Sequence, residues 1–226
     1  STENYDRLLL ATGSRPFMLP IPGSDLEGVI SFRDIADVDT MLERAKTHKK
    51  AVVIGGGLLG LEAANGLMIQ GMDVSVVHIS DVVMNQQLDK PASDLMLEEL
   101  RGKGLTFLME HQTEAIIGRD RVEKLRFKDG SEIDADLVVM AVGIRPNIEL
   151  ASSAGIHCDR GIVVDDTMQT FDPRIYAVGE CVQHRSQTFG LVAPLFEQAK
   201  VCSNHLAQMG IARYISSVTS TKLKVT

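Results

Sequence analysis

Across 226 residues, 44% hydrophobic side chains supply apolar surface for one large domain or two modest ones, and no apolar run approaches the roughly 20 residues that cross a bilayer. A net charge of −7 without a Lys/Arg stripe argues against a nucleic-acid partner, whose phosphates reward clustered positive charge. Cys158, Cys181 and Cys202 are too scattered for a Cys-x-x-Cys redox, zinc or iron–sulfur site, and without a signal-peptide pattern the expected location is the cytoplasm.

The first predicted element lies in residues 6–16, whose pattern recurs in residues 136–146. Each copy reads Asp, one spacer, three apolar residues, then Ala-x-Gly-x-Arg-Pro. Three apolar residues in succession predict a strand buried on both faces, and the Gly and Pro behind them turn the chain. In open α/β sheets such strand ends border the ligand crevice.

Between the copies, an apolar strand at 51–54 enters Gly55, Gly57 and Gly60, spaced as Gly-x-Gly-x-x-Gly, and then the helix formers Leu61, Glu62, Ala63 and Ala64. This is the context a dinucleotide loop needs. Gly55 permits the turn, Gly57 lets backbone approach a pyrophosphate, Gly60 seats the helix close to the strand, and the helix N-terminus favours the anion. Gly71 is expected to end the helix, and the valine-rich strand at 73–79 completes one βαβ unit. A helix at 89–101, a strand at 105–109, a three-stranded antiparallel meander at 114–117, 122–127 and 131–133 turning at Asp129 and Gly130, and a last parallel strand at 137–140 complete the expected domain. The predicted fold is α/β, a Rossmann-like NAD(P)-binding domain. His78, near the end of the second strand, stands where an acid would indicate NAD and a nearby Arg NADP, so the choice of nucleotide stays open.

The repeat also implies a duplicated domain. Gly55 lies far upstream of Ala141, yet no glycine fingerprint stands that far upstream of Ala11. The expectation is a truncated chain: an FAD-domain remnant and linker at 1–33, an NAD(P)-binding domain at 34–160, and an FAD-domain return segment at 161–226.

Residues 5–16, the stretch from Gly55 to Glu62, and Ile175, Tyr176, Ala177, Val178, Gly179 and Glu180 together resemble the paired FAD/NAD domains of the pyridine-nucleotide-disulfide oxidoreductase superfamily. The resemblance implies that Thr12, Gly13, Gly179 and Glu180 contact FAD, with Glu180 standing where the family has an aspartate. It also implies that Gly143 approaches the nicotinamide nucleotide and that Glu62, in the first turn of its helix, lies near the nicotinamide. His78 is a candidate to stack on adenine or to contact a 2′-phosphate. No catalytic acid or base is required, because hydride passes between the cofactors.

Within the superfamily the chain resembles the large subunits of assimilatory sirohaem nitrite reductases, through residues 56–64, 76–78, 87–89, 179–181, 189–194 and 218–224. That likeness implies electron flow from NAD(P)H through FAD to nitrite, with the sirohaem and iron–sulfur cluster held by the rest of the polypeptide, and leaves a homodimer open. The rival readings are an NAD(P)H-dependent rubredoxin or ferredoxin reductase, an NADH oxidase, and a non-catalytic nucleotide-binding redox module.

Overall fold

In the computed structural model, which describes residues 3–217 and 222–225, the chain divides into two compact units. The first comprises Ser1–Arg15 and Ile144–Thr221, and the second Pro16–Gly143 and Lys222–Thr226. In chain order the elements are β1 (Leu8–Leu10), β2 (Ser14–Pro16), β3 (Val29–Ser31), α1 (Ile35–Ala45), β4 (Lys50–Ile54), α2 (Leu58–Ile69), β5 (Asp73–His78) and α3 (Lys90–Gly102). There follow β6 (Thr106–Met109), β7 (Thr113–Gly118), β8 (Val122–Phe127), β9 (Glu132–Asp134), β10 (Leu137–Met140), β11 (Ile144–Pro146), α4 (Glu149–Ser153), β12 (Ile162–Val164), β13 (Ile175–Ala177), β14 (Val182–His184), β15 (Gln187–Thr188) and α5 (Val192–Leu206).

The second unit is built on a parallel sheet of order β3-β10-β4-β5-β6. Its central strands are apolar at every position from Ala51 to Ile54 and from Leu137 to Met140, as covering both faces requires. Alternation divides the work. Val53, Leu137 and Val139 pack with Met41, Leu61, Leu67, Leu97 and Leu100 of the helices, whereas Val52, Ile54, Val138 and Met140 pack with Ile116, Leu125 and Phe127 of the meander β7-β8-β9. The meander turns where expected: Gly130 has φ +85°, and Asp129 accepts from the Ser131 N–H at 2.9 Å. Helix α2 stops at Gly71 (φ +84°), whose N–H donates to the Met68 carbonyl while Met72 N–H reaches Leu67.

Two elements here were not expected. Helix α1 starts at Asp34, which accepts from Asp37 N–H at 3.0 Å while the Asp37 carboxylate accepts from Asp34 N–H at 3.3 Å, a short form of the capping box. Strand β3 forms the sheet edge on β10. With β3 hydrogen-bonded there, residues 16–33 belong to the second unit, and Ala151 and Ile156 place the start of the return path in the core of the first. The units therefore meet the chain at other residues than the 1–33, 34–160 and 161–226 expected.

In the first unit β1 pairs in parallel with β13, and β12, β14 and β15 form a second small sheet. Its core joins Leu10, Ile162, Met168, Tyr176, Val182, Val201 and Cys202. The two repeat copies differ here. The strand from the second copy, β10, is buried throughout, but in β1 Leu9 is 43% exposed, because among the described residues β1 has β13 as its one strand neighbour and lies in no five-stranded sheet. The Arg-Pro segments of the copies, β2 and β11, hydrogen-bond to one another as a two-stranded pair. The motif at 218–221 lies outside the described residues; of its continuation, Leu223 packs against the helix side of the second unit.

Candidate functional site

In the second unit, β4 delivers the chain into the glycine loop. Gly55 N–H donates to the Val77 carbonyl at 2.9 Å, and its φ of +122° turns the backbone out of the sheet. A β carbon on Gly55 would stand 2.3 Å from the Ala141 carbonyl oxygen, and one on Gly60 would stand 1.9 Å from the Gly55 carbonyl oxygen. The first turn of α2 is therefore seated directly on the backbone of Gly55, just past β4, and on Ala141, beyond the end of β10. Gly57 is the N-cap, extended at φ −86°, with no side-chain cap, and the direction its β carbon would take is open to 4 Å. The first N–H groups of α2 have no partner within the helix, and beside that open space they form a place suited to an anion. Gly143 is open in the same way.

The intervening residue, Gly56, is held on both sides. Its N–H donates to His78 Nδ1 at 3.1 Å, and its carbonyl accepts from Met84 N–H at 2.8 Å. The neighbouring Val83 N–H donates at 2.9 Å to the hydroxyl of Ser93, which is fully buried on α3. None of these three braces was foreseen, although a serine in line with Leu97 and Leu100 on the core face of α3 is a legible oddity. His78 carries its second ring nitrogen to the Val82 carbonyl at 3.0 Å, so both nitrogens are engaged within the protein. Burial lowers the proton affinity of this imidazole and the Val82 bond partly restores it.

Glu62 corrects one expectation. Because Gly57 caps the helix, α2 begins at Leu58 and the residue falls in the second turn, where the field of the helix end has largely decayed. One carboxylate oxygen accepts from Lys224 N–H at 3.1 Å, beside a groove of about 190 Å³ between α1 and α2 that Phe32, Met41, Leu42 and Leu67 line.

In the first unit, Thr12 Oγ1 donates to the Asn147 carbonyl at 2.6 Å, Asn147 Nδ2 returns to the Thr12 carbonyl at 2.8 Å, and Asn147 N–H donates to Gly13 at 2.9 Å. Glu180 accepts from the Ser14 hydroxyl at 2.6 Å, which ties the turn at Gly179 and Glu180 to the first repeat copy. Gly13 (φ +66°) and Gly179 (φ +95°) are both open in the β-carbon direction. Gly179 N–H donates to Oε1 of Gln198 at 3.1 Å; this side chain is fully buried on α5 and its Nε2 has no partner among the described residues. Sequence reasoning missed Gln198, a polar residue in line with buried Pro194, Val201 and Cys202. Replacing it, Gln198→Leu, leaves the Gly179 N–H without its acceptor, so thermal unfolding is expected to show a loss of about 1–3 kcal/mol; equal stability of Gln198→Leu would show that Gln198 is not the prop of this turn.

The thiols are packing groups. Cys181 and Cys202 are buried, Cys158 is half-buried, none is paired, and burial pushes the Cys202 thiol up to about 11. Among the described residues no three His, Cys, Asp or Glu side chains converge as metal ligands.

A parallel sheet whose central strand runs through Gly-x-Gly-x-x-Gly into a helix without a side-chain cap defines an α/β dinucleotide-binding protein. The chain belongs to the pyridine nucleotide-disulphide oxidoreductase family, whose model matches residues 1–205. It is 61% identical over 99% of its length to nitrite reductase [NAD(P)H] of Bacillus subtilis (strain 168), and 52% identical over 99% to the assimilatory nitrate reductase electron transfer subunit of the same organism. It spans only 28% and 29% of those two proteins. Among solved structures, an NAD-dependent persulfide reductase from A. fulgidus superposes with a TM-score of 0.91 at 33% identity, over 98% of this chain and 42% of that one.

Proposed function

We propose that the chain is the cofactor-handling section of a flavoprotein oxidoreductase that takes electrons from NAD(P)H into FAD and feeds the reduction of nitrite to ammonia at a sirohaem carried elsewhere in a longer polypeptide. The observation that carries this reading is the loop from Gly55 to Gly60, where two glycines are filled by backbone and the third, Gly57, opens on the uncapped N-terminus of α2. Gly55, Gly57, Gly60 and Gly143 would hold the pyrophosphate side of the nicotinamide nucleotide, with His78 acting at that site through Gly56. Glu62 is the chain's candidate for the nicotinamide side.

For FAD the fit rests on the first unit. The orphaned, fully buried Nε2 of Gln198 and the open faces of Gly13 and Gly179 leave room and one unused donor, and Thr12 and Glu180 border them. Hydride transfer is the chemistry such a cofactor pair supplies when bound; the contribution of this chain is to bind, orient and exclude water. No side chain here is needed as an acid or base. The iron–sulfur cluster and the nitrite site belong, in this reading, to the remaining length of the protein, as the 28% span of the Bacillus nitrite reductase supports.

A second reading has its own support: at 52% identity to an electron transfer subunit of nitrate assimilation, the chain would deliver its electrons to a separate reductase. A cytoplasmic setting agrees with the lack, among the described residues, of a helix long and apolar enough to cross a membrane. A homodimer is supported by Val192 and Phe196, exposed one turn apart on α5.

Calorimetric titration of the chain with NADH, NADPH and FAD separately tests the central reading. Micromolar binding of a nicotinamide nucleotide in the absence of FAD is expected, and the ratio of the two affinities assigns the nucleotide. Absence of binding by both would remove the reading.

A further inference from the structure

The Gly56 peptide is the part of the glycine loop that no glycine contact fixes. A β carbon there would meet the His78 ring at 2.8 Å and Val83 at 3.0 Å, so the loop lies flat against the imidazole. Two hydrogen bonds settle the state of that ring. Gly56 N–H can only donate, so Nδ1 must be bare; the Val82 carbonyl can only accept, so Nε2 must carry the proton. The ring is thus the neutral Nε2–H tautomer, and an added proton would have to go on Nδ1, the atom that Gly56 uses.

We propose that His78 is a positioning residue and proton-sensitive strut of the dinucleotide loop: its neutral form holds the Gly56 N–H so that Gly57 faces the pyrophosphate, and its protonated form frees that N–H and leaves Gly56 tethered by the Met84 bond to its carbonyl alone. The inference rests on the nucleotide reading above for its consequence, but not for its geometry. An imidazolium presents N–H at both nitrogens, which sets a donor against the Gly56 donor and loosens the loop from the β5 side.

The surroundings do not supply a competing switch. Asp81 stands on the loop that follows β5 and pairs at 3.9 Å with Lys90 at the start of α3, whose ammonium also contacts Asp94. Glu110 and His111 follow β6, and His111 N–H donates to the His78 carbonyl at 3.1 Å. The β4 to α2 loop brings only glycines and Leu58. Burial, followed by the Val82 bond, governs His78, rather than any of these charges. Because burial lowers its affinity for a proton, the strut is intact above about pH 6.5 and is lost as pH falls below the ordinary histidine range.

Two variants separate the two ring nitrogens. In His78→Asn the side-chain oxygen takes the place of Nδ1, keeping an acceptor for Gly56 that does not titrate; His78→Gln reaches the Val82 carbonyl instead and leaves Gly56 without its acceptor. Calorimetric titration with NADH between about pH 7.5 and about pH 5 is expected to show wild-type affinity falling roughly tenfold or more, the Asn variant staying within about threefold of its neutral value, and the Gln variant weak throughout. Long-range nitrogen–proton NMR of the wild-type imidazole, with the Gly56 amide followed across the same range, gives a readout independent of the ligand: the Nε2–H tautomer at neutral pH and a Gly56 shift that titrates with the ring are expected. An Nδ1–H or charged ring at neutral pH would overturn the strut, and so would an Asn variant whose affinity falls as steeply as wild type. A chain that binds no NADH at any pH while Gly56 still titrates with His78 would leave the strut standing and remove the nucleotide reading.

Discussion

Gly60→Ala should cost about 3 kcal/mol, a large part of the roughly 5–15 kcal/mol that holds a domain together, and lower the urea midpoint accordingly. The reason is backbone against backbone. The added methyl would stand 1.9 Å from the Gly55 carbonyl oxygen and 3.0 Å from its carbon, and neither can rotate away as a flexible side chain could. Gly55 cannot yield, because its own β-carbon position is closed by Ala141 at 2.3 Å and its N–H is fixed to Val77. Relief must come by lifting α2 from the sheet, which strips Leu61, buried at 0% exposure, from Val53 and Val139. An unfolding free energy within about 1 kcal/mol of wild type would mean that the helix is less firmly seated than the loop geometry requires.

Gly57→Ala separates folding from binding. Its extended backbone suits alanine, and beyond its chain neighbours no described residue comes within 4 Å of the new methyl, so stability should stay within about 1 kcal/mol of wild type. The methyl would nevertheless occupy the space beside the first N–H groups of α2. NADH affinity is expected to fall at least tenfold, about 1.4 kcal/mol, by calorimetry. A Gly57→Ala protein that folds and binds NADH as tightly as wild type would show that the opening is not where the pyrophosphate sits.

These two outcomes were partly legible in advance. The spacing of Gly55, Gly57 and Gly60 behind a four-residue apolar run gave the loop, and the uninterrupted runs at β4 and β10 gave strands covered on both faces. The alternation that sends Val53 to the helices and Val52 to the meander could not be read, because a strand buried on both sides has no polar residue to mark its faces. Helix α1 escaped notice for the opposite reason: Ile35, Val38 and Leu42 are exposed while Met41 and Ala45 alone are buried, so its apolar residues do not form one inward stripe. The start of α2 was misplaced by three residues, and Glu62 with it, since a glycine cap and a leucine pair carry no capping side chain to mark the boundary. The braces of the site were hidden in distance. His78 with Gly56, Ser93 with Val83 and Gln198 with Gly179 are pairs that only the folded path brings together.

The paired Arg-Pro segments also bear on how the molecule assembles. Hydrogen bonds from Asn147 to Gly13 and from Phe17 to Gly143 set the outgoing and returning strands side by side, so the two ends of residues 16–143 are adjacent. Were that stretch an unstructured coil, bringing its ends together would cost the outer unit on the order of 4 kcal/mol in chain entropy. Once folded, it presents both ends already adjacent, and the halves of the outer unit, remote in sequence, join as though separated by a short turn.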